Sequence, residues 1–169
     1  MNAASFKRRA GGLIVAGLAL VAALPAQAEI APGRLQACPL SPAEIKAALG
    51  LEVRAGTPTD ITVGAGNKLL GCDYVAVNGN QHVNLGQFWA QAKDVPMAAA
   101  SMGRQGVGMS VEHLRGDPDH AIVSMRAEQD GYIKLEYMRE NVLTTISVVG
   151  SVKTDEIKPR LLKLKRIPE

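Results

Sequence analysis

Two alternating runs, residues 69–77 and 81–89, meet at Asn78-Gly79, and this arrangement constrains the fold more than any other feature of the chain. Asn-Gly between alternating hydrophobic runs is a strong two-residue hairpin signal, since a type I′ turn needs φ > 0 twice. Such a turn pairs Tyr74 with Val83 and Cys72 with Leu85. Cys72, Tyr74, Val83, Leu85 and Trp89 then share one face, the expected core face. Asp73, His82 and Asn84 fall on the other, with Val75 and Val77. A one-residue slip would move the whole apolar set to the wrong side, so the pattern itself selects the register.

Around this hairpin the chain reads as helix, strands, helix, strands, helix. Ser41-Pro42-Ala43-Glu44 is a capping box with Pro at the first helical position. Leu40 and Ile45 sit at staple positions, and Gly50 ends the helix as a left-handed residue. Short strands are expected at 51–54 and 59–63, around a turn at Gly56-Thr57-Pro58. A second short helix, 94–102, starts with Asp94 as its cap and is followed by a loop with Gly103, Gly106 and Gly108. Strands are expected at 107–114, at 121–127 with Ala121, Val123 and Met125 on one face, and at 132–138 after Asp130-Gly131. In that last run Ile133, Leu135 and Tyr137 point inward and Lys134 and Glu136 outward. A β-branched run at 142–149 follows, then a helix over 155–165 with Pro159 in its first turn. The expectation is an α+β fold: short helices packed on a mainly antiparallel sheet, as two similar helix-plus-strands halves and a C-terminal helix.

The first 28 residues read as a cleavable signal. Lys7, Arg8 and Arg9 precede an apolar run from Leu13 to Leu24, and Ala26-Gln27-Ala28 supplies a signal-peptidase site between Ala28 and Glu29. The apolar run is too short to span a bilayer comfortably, which takes roughly 20 residues. A general secretory route is expected, without a lipid anchor, since Glu29 rather than Cys follows the cut. Residues 29–37 would be a flexible lead and 38–166 a single domain. The expected location is periplasmic or secreted.

Export changes the reading of charge. Of 19 basic residues three lie in the signal, which has no acidic residue, so the remainder balances its 16 acidic residues and gives no reason to expect nucleic-acid binding. Lys153 to Arg166 is locally basic, read here as a solvated helix face, with anionic lipid or an acidic partner as the alternative. Cys38 and Cys72 are the only cysteines, and in an oxidising compartment an even pair reads as a disulfide. Closing the segment between them is worth roughly 3–4 kcal/mol in the chain-entropy model.

Cys38-Pro39-Leu40-Ser41-Pro42-Ala43-Glu44-Ile45-Lys46-Ala47-Ala48-Leu49-Gly50, followed by Gly71-Cys72-Asp73-Tyr74, resembles a family of small exported lipoproteins of unknown function common in actinobacteria. Members carry a Cys, a Leu-Ser/Thr capped helix ending in Leu-Gly, and a Cys-x-Trp strand. A Gly-x-Gly loop, here Gly106-Val107-Gly108, and a C-terminal helix follow. This chain has Tyr74 in place of Trp and no lipobox cysteine. The resemblance implies the α+β fold and the disulfide, and transfers no catalytic residue.

Chemistry is sparse. The histidines are His82, His113 and His120, and there is no G-x-S-x-G, so no enzyme activity is expected. Met97, Met102, Met109 and His113 fall close together. Met109 and His113 would share a strand face as weak soft-metal candidates, although the same spacing describes core packing. No metal or other cofactor is expected. The reading is an exported, non-catalytic binding module of the cell envelope that binds another protein, such as one it inhibits or assists. The alternative is a periplasmic carrier of a small ligand or of copper.

Overall fold

The computed structural model describes residues 37–63, 67–104, 108–126 and 131–169, without the side chains of 60–63. The signal, its cleavage point at Ala28 and Glu29, most of the lead, Gly106-Val107 and Asp130 lie outside the described residues. Among the described residues, three α-helices and seven strands follow in order: α1 (Pro42–Leu49), β1 (Thr57–Val63), β2 (Asn67–Val75), β3 (His82–Trp89), α2 (Val95–Ser101), β4 (Met109–His113), β5 (Ile122–Arg126), β6 (Tyr132–Arg139), β7 (Val142–Val149) and α3 (Thr154–Leu161). The strands form one antiparallel sheet in the order β1-β2-β3-β7-β6-β5-β4. The expected α+β fold is what the chain adopts. Its two meanders, each entered from a helix, join where β3 pairs with β7.

The register of the first hairpin is as the alternation dictates: Tyr74 faces Val83 and Cys72 faces Leu85. The turn is not type I′. The left-handed region is entered at Gly79 (φ 97) and not at Asn78. The ladder closes with Ala76 N–H donating to Gln81 O, and Val77 N–H turns away to donate to Glu52 O. The segment before β1 therefore competes for the hairpin end, with a bridge from Val53 to Ala76 in place of a strand at 51–54. At the other hairpin without a sequence signal, Arg139 pairs with Val142 across Glu140-Asn141, and Glu140 carries φ 53.

α1 forms as its caps require. Ser41 Oγ accepts from Glu44 N–H at 3.2 Å and Ser41 N–H donates to Glu44 Oε2 at 2.7 Å. Gly50 closes the helix at φ 73. Ile45 and Leu49 are fully buried, beside Ile157 and Leu161 of α3, against the face carrying Leu70, Leu85, Ile146 and Leu135. Cys38 and Cys72 are bonded, with Cα atoms 5.7 Å apart. Tyr74, fully buried where the resembling family has Trp, uses its hydroxyl: it donates to Leu40 O at 2.8 Å and accepts from Leu40 N–H at 3.3 Å. The entry to α1 is thus tied to β2 twice, once through sulfur and once through oxygen.

Two further expectations need correction. Asp94 makes no side-chain cap to α2; a 3-10 turn at Ala92–Asp94 precedes the helix, and the carboxylate accepts from Asn67 Nδ2 instead. Pro159 sits inside α3, not in its first turn. It is exposed there, so the carbonyl its missing N–H leaves unmatched can turn to water. Beyond α3, Ile167 is buried. Ile167 N–H donates to Tyr137 Oη and its carbonyl accepts from Thr144 Oγ1, inside the core-side layer.

Candidate functional site on the open sheet face

The face of the sheet opposite α1 and α3 is where polar side chains converge. The register places Thr57, Asp73, Asn84, Ser147, Lys134, Ser124 and Val111 in one row across all seven strands. The adjacent row is Thr59, Gly71, Gly86, Thr145, Glu136, Ile122 and His113. Beyond it Leu69, Phe88, Leu143 and Met138 make an apolar row. Phe88 and Trp89, adjacent in sequence, necessarily point to opposite faces; Trp89 enters the core and Phe88 is half-buried here.

Gly71 and Gly86 stand directly opposite each other on neighbouring inner strands. Among the described residues, a Cβ on Gly71 would meet nothing nearer than Thr59 at 3.9 Å, and one on Gly86 nothing nearer than Thr145 at 4.0 Å. Neither glycine has positive φ, so neither backbone conformation requires glycine. Glycine in a strand interior weakens the strand and often marks a place where something approaches the backbone closely. Together the pair makes the floor of a shallow trough running across β2 and β3, with the apolar row on one side and the polar row on the other.

One end of the trough is charged and covered. Lys134 and Glu136 were expected to face solvent. They do lie on this face, but at 13% and 9% side-chain exposure, joined at 2.9 Å. The connection from α2 to β4 must cross β7, β6 and β5 to reach the far edge, and it crosses on this side: Gly103 N–H donates to Glu136 Oε2 at 3.1 Å. At the other end Asp73 Oδ1 is 3.2 Å from His82 Nδ1, both about half exposed. Between these two pairs, the side chains of Asn84, Thr145 and Ser147 have no hydrogen-bond partner among the described residues. Ser147 is only 8% exposed.

The other histidines do not join this group. His113 is exposed on the edge strand β4, and His120 is exposed at a turn with φ 51. No hydroxyl is hydrogen-bonded to His82 among the described residues. Met109 and His113 share a face of β4 as expected, but with Val111 between them and four strand residues of separation, about 13 Å along the strand. Among the described residues no group of three His, Cys, Asp or Glu side chains could hold a metal ion.

A second polar cluster, at the end of the core-side layer, has a structural job. Asp117 Oδ1 caps its own turn by accepting from Asp119 N–H and Ala121 N–H. Arg166 stacks 4.5 Å over the Tyr137 ring and donates to Asp117 Oδ2 at 2.7 Å. Arg139 donates to Asp119 and to Pro168 O. Burial raises the Tyr137 phenol above its ordinary pKa, keeping it neutral as it receives Ile167 N–H. These groups pin the C-terminal tail. The recess beside them, about 300 Å³ lined by Pro118, Asp119, Met138 and Arg139, is bounded by that tail.

The basic stretch from Lys153 to Arg166 is largely neutralised within the chain. Lys153 pairs with Glu156, Lys158 with Glu112, Lys165 with Glu44 and Glu169, and Arg166 with Asp117. Arg160 donates to Leu49 O. This leaves little free positive charge for lipid and favours the solvated-face reading.

No known protein family and no curated protein matches the chain. Among solved structures, the sheet and helices are similar to the extracellular domain of PknH from Mycobacterium tuberculosis, with a TM-score of 0.56 and 13% identity, covering 82% of this chain and 96% of that one. The shared property is the fold. Among the described residues no helix is long and apolar enough to cross a membrane. The disulfide accords with a chain that works outside the cytoplasm.

Proposed function

We propose that this chain is an exported, non-catalytic binding module of the cell envelope that takes its ligand on the open face of the sheet. The observation that carries the proposal is the opposed pair Gly71 and Gly86, with open space above both and unpartnered polar side chains beside them. A stable antiparallel sheet has no use of its own for two glycines at the centre of its best-paired strands. The actinobacterial exported family that Cys38–Gly50 and Gly71–Tyr74 resemble is part of the proposal, supported by the order of elements.

The surface bears on the kind of partner. A docked protein of the expected sort would want a contiguous apolar patch. Among the described residues the large exposed apolar side chains are Val77, Met97 and Val111, which sit at the first hairpin end, on α2 and on the edge strand β4. They are dispersed, whereas the polar groups are gathered.

Site-specific photocrosslinking in the living envelope tests the reading. A photoreactive residue at Asn84 is expected to give one saturable adduct, lost on introducing Gly86→Val, while the same residue at Lys163, on the opposite side, gives none. Equal labelling from both positions, or adduct formation insensitive to Gly86→Val, would sink the proposal.

A further inference from the structure

We infer that the trough over Gly71 and Gly86 is a binding site for an uncharged sugar ring, such as one unit of an envelope or extracellular glycan. This rests on the binding-module reading and narrows it to a ligand class. The floor is the flat peptide surface of two opposed glycines, open above among the described residues. Leu69, Phe88 and Leu143 border it on one side, all half-buried and so still able to take an apolar contact. Asn84, Ser147 and Thr145 border it on the other side and beyond Gly86, with hydrogen-bonding capacity that no described residue uses. A pyranose has this same division, with C–H groups on its faces and hydroxyls that donate and accept around its rim.

Three further observations favour this ligand. Ser147 lies on the trough face at 8% exposure, and its hydroxyl is taken by no described residue. Asn84, directly across from Ser147, offers two donors and an acceptor together, which suits a hydroxyl better than a purely ionic group. Lys134 matches the charge of Glu136 at one end and Asp73 is engaged by His82 at the other, so neither end offers an uncommitted ionic partner, which favours a neutral ligand. An extended peptide is less well served. β2, β3 and β7 are each flanked by two strands, so their backbone groups are committed to the sheet and cannot pair with an added chain.

The test is titration of the secreted chain, residues 29–169, with maltotriose, cellotriose, mannotriose and the fully N-acetylated chitotriose, read by calorimetry and by amide chemical shifts. At least one is expected to bind, with shifts centred on Gly71, Asn84, Gly86 and Ser147. Asn84→Ala, at a half-exposed position, should weaken that binding about tenfold, the loss of one good hydrogen bond. Gly86→Val should abolish it, and Lys163→Ala should leave it unchanged. If none of the four binds, or if bound sugar shifts residues away from the trough, the sugar inference is overturned. A specific crosslink from Asn84 to a protein in the same cells would then leave the open-face reading standing, whereas no crosslink would remove both.

Discussion

Replacing Lys134 by Met tests whether the charged end of the open face is a built feature. Met keeps most of the apolar length and removes the cation. Glu136 would then stay at 9% side-chain exposure with its 2.9 Å partner gone, while Gly103 N–H still donates to its other oxygen at 3.1 Å. Breaking a buried pair by removing one member costs about 3–5 kcal/mol, because a desolvated charge is left behind. Residual exposure of both side chains and the contacts that Glu136 keeps place this pair at the lower end, about 3 kcal/mol. For a domain of this size that is a fall in Tm of about 10 °C. Adding Glu136→Gln should recover about 2 kcal/mol of the loss, since the amide oxygen still accepts from Gly103 and the charge is gone. Urea unfolding of the wild type, both single variants and the double variant closes the cycle. A loss below about 1 kcal/mol for Lys134→Met, the value of an exposed surface pair, would refute the reasoning.

Other consequences are directly measurable. At Gly56 an added Cβ would lie 2.5 Å from the ring of buried Tyr74 and 3.0 Å from Cys38 Sγ, so Gly56→Ala should cost about 2 kcal/mol in urea unfolding, the usual cost of overpacking. Removing the disulfide with Cys38→Ala and Cys72→Ala should cost about 3–4 kcal/mol and make the unfolding midpoint insensitive to reductant, unlike that of the parent. The hydrogen bond from Lys165, followed by those from Ser41, lowers the Glu44 pKa to about 2. A depressed carboxylate pKa adds stability above its unfolded value, near 4.5, that is lost as pH falls toward 2. The stability difference between the parent and Glu44→Gln should therefore shrink over that window. Its size should stay below about 1 kcal/mol, because the side chain is 39% exposed and screened.

Local chemistry made much of this architecture legible. Ser41 and Glu44 set the start of α1, Gly50 sets its end, and period-two alternation set the pairing of Tyr74 with Val83. Contacts distant in sequence were not legible. Nothing in 82–89 announces that β3 will lie beside β7, and Val77 N–H leaves the expected turn only because Glu52 O is waiting. Lys134 and Glu136 alternate as an exposed pair would, yet the α2–β4 connection folds over their side of the sheet. The site itself left one readable trace. Gly71 and Gly86 are equidistant from the centre of the Asn78-Gly79 turn, so the predicted register already placed them face to face. Ser147 left none, because its neighbourhood depends on the β3–β7 pairing.

On the reading proposed above, Gly71 and Gly86 keep space for a ligand and are not needed to permit the fold. Urea unfolding of Gly86→Ala in the ligand-free protein tests it most directly. Stability should be unchanged or raised by up to about 1 kcal/mol, because the methyl meets no described atom nearer than 4.0 Å and alanine gives up less chain entropy on folding. A loss of more than about 1 kcal/mol would show that the sheet itself requires glycine at this position, and the trough would then be a by-product of folding.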